Sequence, residues 1–594
     1  MDLLDETLSL TGRVWSFKPF SDRTALALAQ RHGVPEVVGK LLAIRGIALD
    51  TAEVFLNPRL KELLPDPFHL MDMDRAVDRM VTALNNRETI AVFGDYDVDG
   101  ATSSALLKRY MAMLGRPLIV YIPDRMAEGY GPNRGAFDKL KAMGVKLVIT
   151  VDCGIVAHDA LGYARDLGLD VVVIDHHMGE SALPPAVAVV NPNRLDETSP
   201  CGHLAAVGVT FLVLVALNQT LKQQGVFETQ PEPNLLLLLD IVALGTVCDV
   251  VPLHGVNRAF VAQGLKILGR RMNTGLKVLS DVARLDEAPS PYHLGFILGP
   301  HINAGGRVGQ SDMGSKLLSC DDAQEALLYA QALALHNSER KAIEAEILDQ
   351  AIRQAEGSTG SVIWVYGPNW HPGVIGIVAS RLKDRYHKPA IVLAGDGKGG
   401  AKASCRSIRG VHLGQMILAA RQQGILLAGG GHAMAGGFSV EENAMAQAEA
   451  FFESRIGDVV ARDNIRPLLD LDLSLPLTAA NMALVDQIER LSPFGVGNPQ
   501  PRFAFPNVVV SFADVVGGAH VRCQLKDPDR SWSTKAIAFR CADHPMGQAL
   551  LNHRGKRLSV AGTLKKDTWG QTPSVQVIIE DVQKQIHAAP ISIS

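Results

Sequence analysis

The chain has 594 residues, a formal net charge of −4, 47% hydrophobic residues and 20% charged residues. This length exceeds what one hydrophobic core organises and predicts about three to four domains. The near-neutral charge excludes a generally basic nucleic-acid-binding protein, so a nucleic-acid partner has to be held by local basic patches.

Nothing in the sequence indicates export or membrane insertion. The N-terminal stretch MDLLDETLSLTG lacks the basic-then-apolar order of a signal peptide. The cysteines form no C-x-x-C pair, which is typical of reduced thiols. Residues 235–244, the nearest approach to a membrane span, are interrupted by Asp240 and fall short of the ~18 apolar residues that a span needs. We therefore expect a cytoplasmic protein without a membrane partner.

The first part of the chain predicts a helical extension followed by an α/β domain. Residues 1–80 show short helical patterns broken by proline and glycine. From residue 89, Val- and Ile-rich runs typical of buried parallel strands alternate with helical segments. The predicted strands are 89–93, 118–122, 147–151 and 171–174, and the predicted helices are 101–114, 134–143 and 157–167. This order predicts a doubly wound parallel sheet over residues 81–318.

Three acidic residues follow the first of these strands. Asp95, Asp97 and Asp99 alternate along an extended segment, so their side chains converge past the end of the strand. Close carboxylates need a cation, and oxygen ligands favour Mg²⁺ or Mn²⁺. An EF-hand loop is disfavoured because a strand precedes the segment and position 12 is Leu106. The structural alternative is a solvated acidic loop before a helix capped within residues 102–104.

The other predicted strands also end in polar residues. Asp124 and Arg125 follow the second strand, Asp152 follows the third, and Asp175-His176-His177 follows the fourth, while the apolar helical run 235–247 ends at Asp249. Open α/β sheets bind ligands at the carboxyl ends of their strands. A single Asp or His is usually structural, but several at one sheet edge predict a site.

These motifs resemble the DHH phosphoesterase family, and within it the 5′→3′ exonucleases specific for single-stranded DNA. The matching segments are D-Y-D-V-D-G (95–100), V-D-C-G (151–154), D-H-H (175–177), H-I-N-A-G-G-R (301–307), S-C-R-S (404–407) and G-G-G-H-A-M-A-G-G (429–437). The ordered set covers almost the whole chain after residue 80.

The resemblance implies hydrolysis of phosphodiesters with two divalent cations, Mn²⁺ or Mg²⁺, with Mn²⁺ preferred in the purified protein. Asp152 is then the bridging ligand. Asp95 falls outside the pair that aligns with the metal-binding aspartates of the family, and is either an outer ligand or a residue that contacts the ligands. The remaining implied ligands are Asp97, Asp99, His176 and Asp249. His177 lies over the substrate, where it donates to a phosphate oxygen or assists the leaving group.

The resemblance also implies substrate-binding residues. Arg125 and Arg307 are expected at the 5′-phosphate, since a guanidinium matches a phosphate in shape and charge. Ser404, Arg406, Ser407 and His432 are expected to hold the nucleic-acid backbone in a DHH-associated domain over residues 358–460. The alternatives are ordinary exposed arginines and, for residues 429–437, a tight structural turn instead of an anion-binding nest.

The second half of the chain predicts three further features. Residues 320–356 form one long connecting helix, with Ser319 as its cap, within a connector over 319–357. Residues 395–400 match G-x-G-x-x-G but lie between two strands, which predicts a hairpin turn. Residues 466–585 carry five short strands (508–512, 521–525, 535–539, 557–563 and 574–579) and a helix (480–491), which suit an OB-type barrel.

Four aromatic residues of this barrel are candidates for stacking on bases, namely Phe503, Phe505, Trp532 and Trp569, together with the basic residues Arg502, Arg522, Lys526 and Lys535. The resemblance implies an exonuclease that degrades single-stranded DNA from a 5′ end to 5′-mononucleotides in repair and recombination. The sequence does not fix the oligomeric state, and we expect a monomer. Its expected partners are a single-strand-binding protein and a helicase. The alternatives are a DHH enzyme acting on short oligonucleotides or small nucleotides, and a non-catalytic DNA-binding scaffold.

Overall fold

The computed structural model describes residues 8–124, 128–129, 131–552, 555–567 and 573–584. They form two compact units: Leu63–Ile465 is one, and Met1–Glu62 together with Arg466–Ser594 is the other. The first residues contain a strand that the sequence does not indicate. Their elements are β1 (Val14–Phe17), α1 (Asp22–His32), α2 (Glu36–Ile44), α3 (Ala52–Leu56) and α4 (Leu60–Leu63).

A parallel five-stranded sheet organises the first half of the larger unit, with strand order β3-β2-β4-β5-β6. Its strands are β2 (Thr89–Gly94), β3 (Ile119–Tyr121), β4 (Val145–Val151), β5 (Asp170–Ile174) and β6 (Ala188–Val190). The associated helices are α5 (Met73–Asn85), α6 (Val98–Met113), α7 (Arg134–Ala142), α8 (His158–Asp166), α9 (Ala206–Gln223), α10 (Leu239–Cys248), α11 (Gly255–Gly269), α12 (Thr274–Val282), α13 (Pro291–His293), α14 (Gly299–Val308) and α15 (Met313–Ser319). The predicted α/β class and parallel sheet are confirmed.

Two helices of this half differ from the sequence-based expectation. Helix α6 begins at Val98 because the side chain of Asp97 accepts a hydrogen bond from the Gly100 amide. The cap is therefore Asp97, and the alternative of a cap within residues 102–104 is wrong.

Among the described residues, α9 alone is long and apolar enough to cross a membrane, and 78% of it is buried inside the protein.

A 33-residue helix, α16 (Ala323–Ala355), joins this half to a second sheet. Its cap is Asp322, whose carboxylate accepts from the amides of Gln324 and Glu325, so the prediction of Ser319 is wrong. The second half contains β7 (Ile363–Gly367), α17 (Ile375–Tyr386), β8 (Ala390–Gly395), β9 (Gly400–Arg406), α18 (Leu413–Gln422), β10 (Ala428–Gly431), β11 (Ala435–Glu441) and α19 (Met445–Arg462). Strands β8 and β9 pair antiparallel from Gly395 opposite Ala401, which confirms the hairpin predicted there.

The smaller unit is built on a closed five-stranded barrel. Its elements are β12 (Leu468–Leu471), β13 (Leu473–Ser474), α20 (Met482–Glu489), β14 (Phe503–Val516), β15 (His520–Lys526), β16 (Ser533–Ala538), α21 (Pro545–Asn552), β17 (Arg557–Asp567) and β18 (Ser574–Lys584). The strands pair in the order β14-β15-β16-β18-β17, and β17 returns to β14. Strands β16 and β18 are parallel. This is the topology of an OB fold, as predicted.

The stacking candidates of the barrel differ in how far their side chains are exposed. Phe503 and Phe505 are fully buried in the barrel core, so the prediction that they stack on bases is wrong. Trp532 is 37% exposed and remains a candidate. Trp569 lies outside the described residues. Alternate residues of a barrel strand fill its interior, which is where these two phenylalanines belong.

The N-terminal segment completes the same unit. Strand β1 pairs in parallel with β12, from Val14 opposite Leu468 to Phe17 opposite Leu471. The indole of Trp15 donates a 3.0 Å hydrogen bond to the buried carboxylate of Asp581. Apolar side chains of α1 to α3 share one core with the barrel strands. Burial of apolar surface stabilises the folded state by about 25 cal/mol per Å². The barrel and the first helices therefore stabilise each other within one compact unit.

Candidate functional site

The carboxyl ends of β2, β4 and β5 bring together most of the predicted acidic and imidazole side chains. Asp95 and Asp97 follow β2, Asp152 follows β4, and the pair His176 and His177 follows β5 by two and three residues. Adjacent parallel strands end at one edge, so residues distant in sequence become neighbours there. The side chain of Asp152 is 2% exposed, and the backbone at this residue has φ +60°.

One group of possible ligand atoms comes from Asp95, Asp97 and Asp152. These carboxylate oxygens all lie within 4.8 Å of one another. Asp97 also accepts from the Gly100 amide at 3.1 Å, which fixes its position at the start of α6. Asp95 therefore stands among the ligand candidates, whereas the sequence places it outside the ligand pair.

A second group consists of Asp99, His176 and Asp249, again within 4.8 Å. The Nε2 atom of His176 lies 3.4 Å from Asp152 Oδ1, 3.6 Å from Asp249 Oδ2 and 3.9 Å from Asp99 Oδ2. The His176 Nε2 and Asp249 Oδ2 atoms are buried and make no hydrogen bond among the described residues. Asp152 belongs to the first group and also to a third group, with His176 and His177, so it lies between the two sets of ligands as a bridging ligand does.

Asp99 has an additional structural role. Its two carboxylate oxygens accept from the amides of Ala206 at 2.6 Å and Val207 at 2.9 Å, at the N-terminus of α9. A helix N-terminus carries unpaired amides and partial positive charge, which stabilises a carboxylate. The contact joins the site to a helix more than 100 residues further along the chain.

The titration behaviour of the cluster reflects crowded, buried acids. Burial, and then the neighbouring carboxylates, raises the pKa of Asp249 to about 9 and holds the pKa of Asp152 well above its ordinary value. Burial and Asp97 raise the pKa of Asp99 to about 7, although its backbone hydrogen bonds oppose this. Burial lowers the pKa of His176 to about 4, which favours the neutral imidazole that binds metals. Oxygen and imidazole donors in this arrangement fit divalent cations.

Asp175 organises the histidines, a role that the sequence argument missed. Its Oδ1 accepts from the amides of His176 at 2.7 Å and His177 at 3.1 Å and contacts His177 Nδ1 at 2.7 Å. Its Oδ2 accepts from the Ile155 amide at 3.1 Å. Its position at the head of the D-H-H motif was the only available signal. The carboxylate orients His177, whose side chain is 44% exposed.

Arg307 lies where the two halves of the larger unit meet. It belongs to α14, and its guanidinium donates a 2.6 Å hydrogen bond to the carbonyl of Gly373, in the loop before α17. In the same segment, a Cβ on Gly376 would lie 3.0 Å from Ser404 Oγ and 3.3 Å from Arg406 Nη2. The structure thus brings Arg307, Ser404 and Arg406 to one segment, residues 373–376. Arg125 lies outside the described residues.

Ser407 and His432 differ from this arrangement. The Ser407 hydroxyl is buried and donates to the Val411 carbonyl at 2.6 Å, so it stabilises its own loop. His432 is exposed in the turn between β10 and β11, and its amide donates to the Ala435 carbonyl at 2.8 Å. A Cβ on Gly431 would lie 2.5 Å from that carbonyl oxygen. Gly431 is therefore needed for hairpin packing, which favours the tight-turn alternative over an anion-binding nest at this position.

Comparison with known proteins agrees with this architecture. The family model described as the DHH family, N-terminal domain, matches residues 89–246, that of the DHHA1 domain matches 359–458, and that of the RecJ OB domain matches 471–581. The chain is 36% identical to the single-stranded-DNA-specific exonuclease RecJ of Escherichia coli over 92% of this chain and 96% of that protein. It is 34% identical to RecJ of Bacillus subtilis over 95% of this chain and 70% of that protein.

Solved structures give the same result. RecJ of Thermus thermophilus in complex with Mn²⁺ superposes with a TM-score of 0.80 at 27% identity, covering 98% of this chain and 81% of that one. An exonuclease RecJ bound to manganese gives a TM-score of 0.57 at 32% identity, covering 68% and 98%. With its metal-binding geometry, its three matched domains and these relatives, the chain belongs to the RecJ family of DHH proteins.

Proposed function

We propose that this protein is a metal-dependent exonuclease that hydrolyses single-stranded DNA from the 5′ end and releases 5′-mononucleotides. The observation that carries the proposal is the position of Asp152 at one edge of the parallel sheet, in one ligand group with Asp95 and Asp97 and in another with His176 and His177. Relatives that match most of the chain are named single-stranded-DNA-specific exonucleases.

Two divalent cations, Mn²⁺ or Mg²⁺, fit the two ligand groups. Asp95, Asp97 and Asp152 would hold one ion, and Asp99, His176 and Asp249 would hold the other, with Asp152 Oδ1 lying 3.4 Å from His176 Nε2. Bound there, such ions lower the pKa of a water molecule and neutralise charge on the phosphoryl oxygens. The chemistry of the donors supports this assignment, since buried carboxylates that lie this close together are stabilised by a bound cation.

His177 supplies a proton donor beside the ligand groups. Burial lowers its pKa, but the hydrogen bond and charge of Asp175 outweigh this effect and raise the pKa above its ordinary value. The protonated imidazole can therefore donate to a phosphate oxygen or to the leaving group near neutral pH. Its Nδ1 faces Asp175 at 2.7 Å, so the opposite edge of the ring is presented to the substrate.

Recognition of a terminal phosphate sets the direction of cleavage. Arg307, Ser404 and Arg406 lie around residues 373–376 and provide two guanidinium groups and a hydroxyl for a 5′-phosphate. Arg125, which lies outside the described residues, stays a candidate for the same phosphate from its sequence motif alone. Burial lowers the pKa of Arg406, which indicates a guanidinium held out of water. Ser407 and His432 stabilise the protein backbone at this surface through hydrogen bonds within their own loops. Trp532 of the barrel, which is 37% exposed, is a candidate for stacking on a base of single-stranded DNA.

The cellular setting follows from the family. A monomer in the cytoplasm, acting in DNA repair and recombination together with a single-strand-binding protein and a helicase, is the role that we assign. A helicase supplies the single strand, and a single-strand-binding protein keeps it unpaired.

The test is hydrolysis of a 5′-phosphorylated strand, single or annealed, labelled at either end. In Mn²⁺ we expect the 5′-labelled single strand to release labelled mononucleotide at once and the duplex to remain intact. Asp152→Ala should lower the rate by about 10³-fold or more even at saturating Mn²⁺. Near-wild-type activity of Asp152→Ala would show that the bridging assignment is wrong, and equal cleavage of duplex would show that the substrate is wrong.

A further inference from the structure

Two aromatic side chains are stacked on each other at the protein surface, in the segment that leads into α14. Tyr292 is 61% exposed and Phe296 is 72% exposed. Their ring centroids lie 5.2 Å apart, and the ring planes are inclined by 24°. No large apolar side chain among the described residues is more exposed than Phe296. Exposed rings lack the stabilisation that burial gives them, so a stacked pair of this kind indicates a binding surface.

The local backbone holds this pair in place. Helix α13 begins with a capping box, in which the Ser290 amide donates to His293 Nδ1 at 3.0 Å. Residues Leu294–Leu298 then form one turn of π-helix that continues directly into α14, so residues 291–308 are one helical run. A π turn is rare and is found frequently at functional sites. The first and last leucines of this turn are buried, so the aromatic pair stays on the outer face of the run.

The start of this run lies against the end of α10, beside the ligand candidate Asp249. The Cys248 thiol donates to the Leu294 carbonyl at 3.4 Å. A Cβ on Gly299 would lie 2.4 Å from the sulfur of Cys248, so glycine permits the close approach of the run to α10. Leu294 lies between the two aromatic residues in the sequence, and the aromatic pair therefore flanks a contact with the residue next to Asp249.

The end of the run lies against the other ligand group and carries Arg307. A Cβ on Gly306 would lie 2.8 Å from the carbonyl oxygen of Tyr96, in the middle of the D-Y-D segment of that group. Arg307 follows Phe296 by eleven residues, or about three turns of 3.6 residues, so both side chains project from one face of the run. They are separated by on the order of 15 Å along its axis. The run therefore meets both ligand loops at glycines that lie between Phe296 and Arg307.

We propose that Phe296, supported by Tyr292, is a stacking platform for one base of the strand on the 3′ side of the reacting phosphate. With the terminal phosphate at Arg307 and the reacting phosphate at the ligand groups, the rest of the strand continues along the same face of the run toward Phe296. One face of the Phe296 ring packs on Tyr292, and the other is open to a base. Stacking accepts any of the four bases, because each presents a flat π face. This inference rests on the proposed exonuclease function and adds where the uncleaved strand is held.

Equilibrium binding tests the platform without hydrolysis. The probe is a 5′-phosphorylated single strand with a fluorophore at its 3′ end, and its Kd is measured by fluorescence anisotropy in EDTA. Phe296→Leu keeps an apolar side chain but removes the ring, so it should raise Kd about tenfold, whereas Phe296→Trp should stay within about threefold of wild type. Neither change should alter the unfolding temperature, because the side chain is exposed. Phe68→Leu, at a 42% exposed phenylalanine before α5, is the matched control and should leave Kd unchanged.

A second set of strands identifies the stacked base. Each strand lacks the base of one nucleotide, at successive positions from the 5′ end. For the wild type, base loss at one position beyond the first nucleotide should raise Kd about tenfold. At that position Phe296→Leu should cause no further loss of binding, because both changes remove the same contact.

Three results would overturn the proposal: an unchanged Kd for Phe296→Leu, an equal effect of Phe296→Leu at every position of base loss, or a loss for Phe296→Trp as large as that for Phe296→Leu. Hydrolysis in Mn²⁺ is measured separately. A wild type that binds with the expected pattern but leaves the strand intact would refute the exonuclease function and support the platform.

Discussion

The substitution Asp175→Asn tests the network that orients His176 and His177. In the wild type, one carboxylate oxygen faces two amides and the His177 ring, and the other accepts from the Ile155 amide. Asparagine has one acceptor oxygen and one NH₂ group. If its oxygen keeps the contacts to His176 and His177, the NH₂ group is directed at the Ile155 amide, another donor.

The magnitude follows from these contacts. A buried donor left without an acceptor destabilises the folded state by about 1–3 kcal/mol, and loss of the charge weakens the His177 hydrogen bond by about 1–2 kcal/mol. We therefore expect the free energy of unfolding to fall by roughly 2–5 kcal/mol. A misoriented His177 should lower kcat by about 10²-fold. Because Asp175 raises the pKa of His177, the alkaline decline of kcat should move to lower pH in the variant.

Denaturant unfolding, the pH dependence of kcat and Mn²⁺ titration together measure these effects. The Mn²⁺ affinity should stay within about threefold of wild type, since Asp175 belongs to none of the ligand groups. Asp240→Asn, a change at another buried carboxylate, is the matched control and should retain activity. If Asp175→Asn keeps its kcat within threefold while His177→Ala loses activity, Asp175 does not orient His177 and the reasoning is refuted.

Two further predictions concern Arg307 and Asp240. Arg307→Ala should lower kcat/KM about tenfold more on 5′-phosphorylated strands than on 5′-hydroxyl strands, because a guanidinium recognises phosphate charge. Equal losses of kcat/KM on the two substrates would argue against a role of Arg307 at the terminal phosphate. Burial raises the pKa of Asp240 to about 6 from 3.8, so the folded state binds its proton more tightly than the unfolded state. The contribution of Asp240 to the free energy of unfolding should thus be largest below pH 4 and fall by about 3 kcal/mol as the pH rises through 6. Denaturant midpoints that are no less pH-dependent in Asp240→Asn than in wild type would contradict this.

The sheet and the residues at its edge could be predicted because each signal is local. A Val-rich run followed by Asp95 and Asp97, or by His176 and His177, specifies both a buried strand and what stands at its end. Parallel strands then bring those ends together without further information. The hairpin at Gly395–Gly400 was predictable for the same reason, since strand patterns flank it directly.

The rest depends on contacts between distant parts of the chain. The amides of Ala206 and Val207, which bind Asp99, lie about a hundred residues away, and no spacing in the sequence connects them. Phe503 and Phe505 are of a residue type that can stack on bases, but the closed barrel places both of them in its core. Among the described residues, strand β1 pairs with β12, which lies more than 400 residues later in the chain. No local sequence pattern therefore indicates its partner.

That pairing has a consequence for biosynthesis. The apolar faces of α1 to α3 are completed by barrel strands that begin after residue 466, about 400 residues later in the chain. At a translation rate of about 5–20 residues per second, the interval is roughly 20–80 s. During that time the N-terminal helices leave the ribosome without their barrel partners, so their apolar faces stay uncovered by those strands until the end of synthesis.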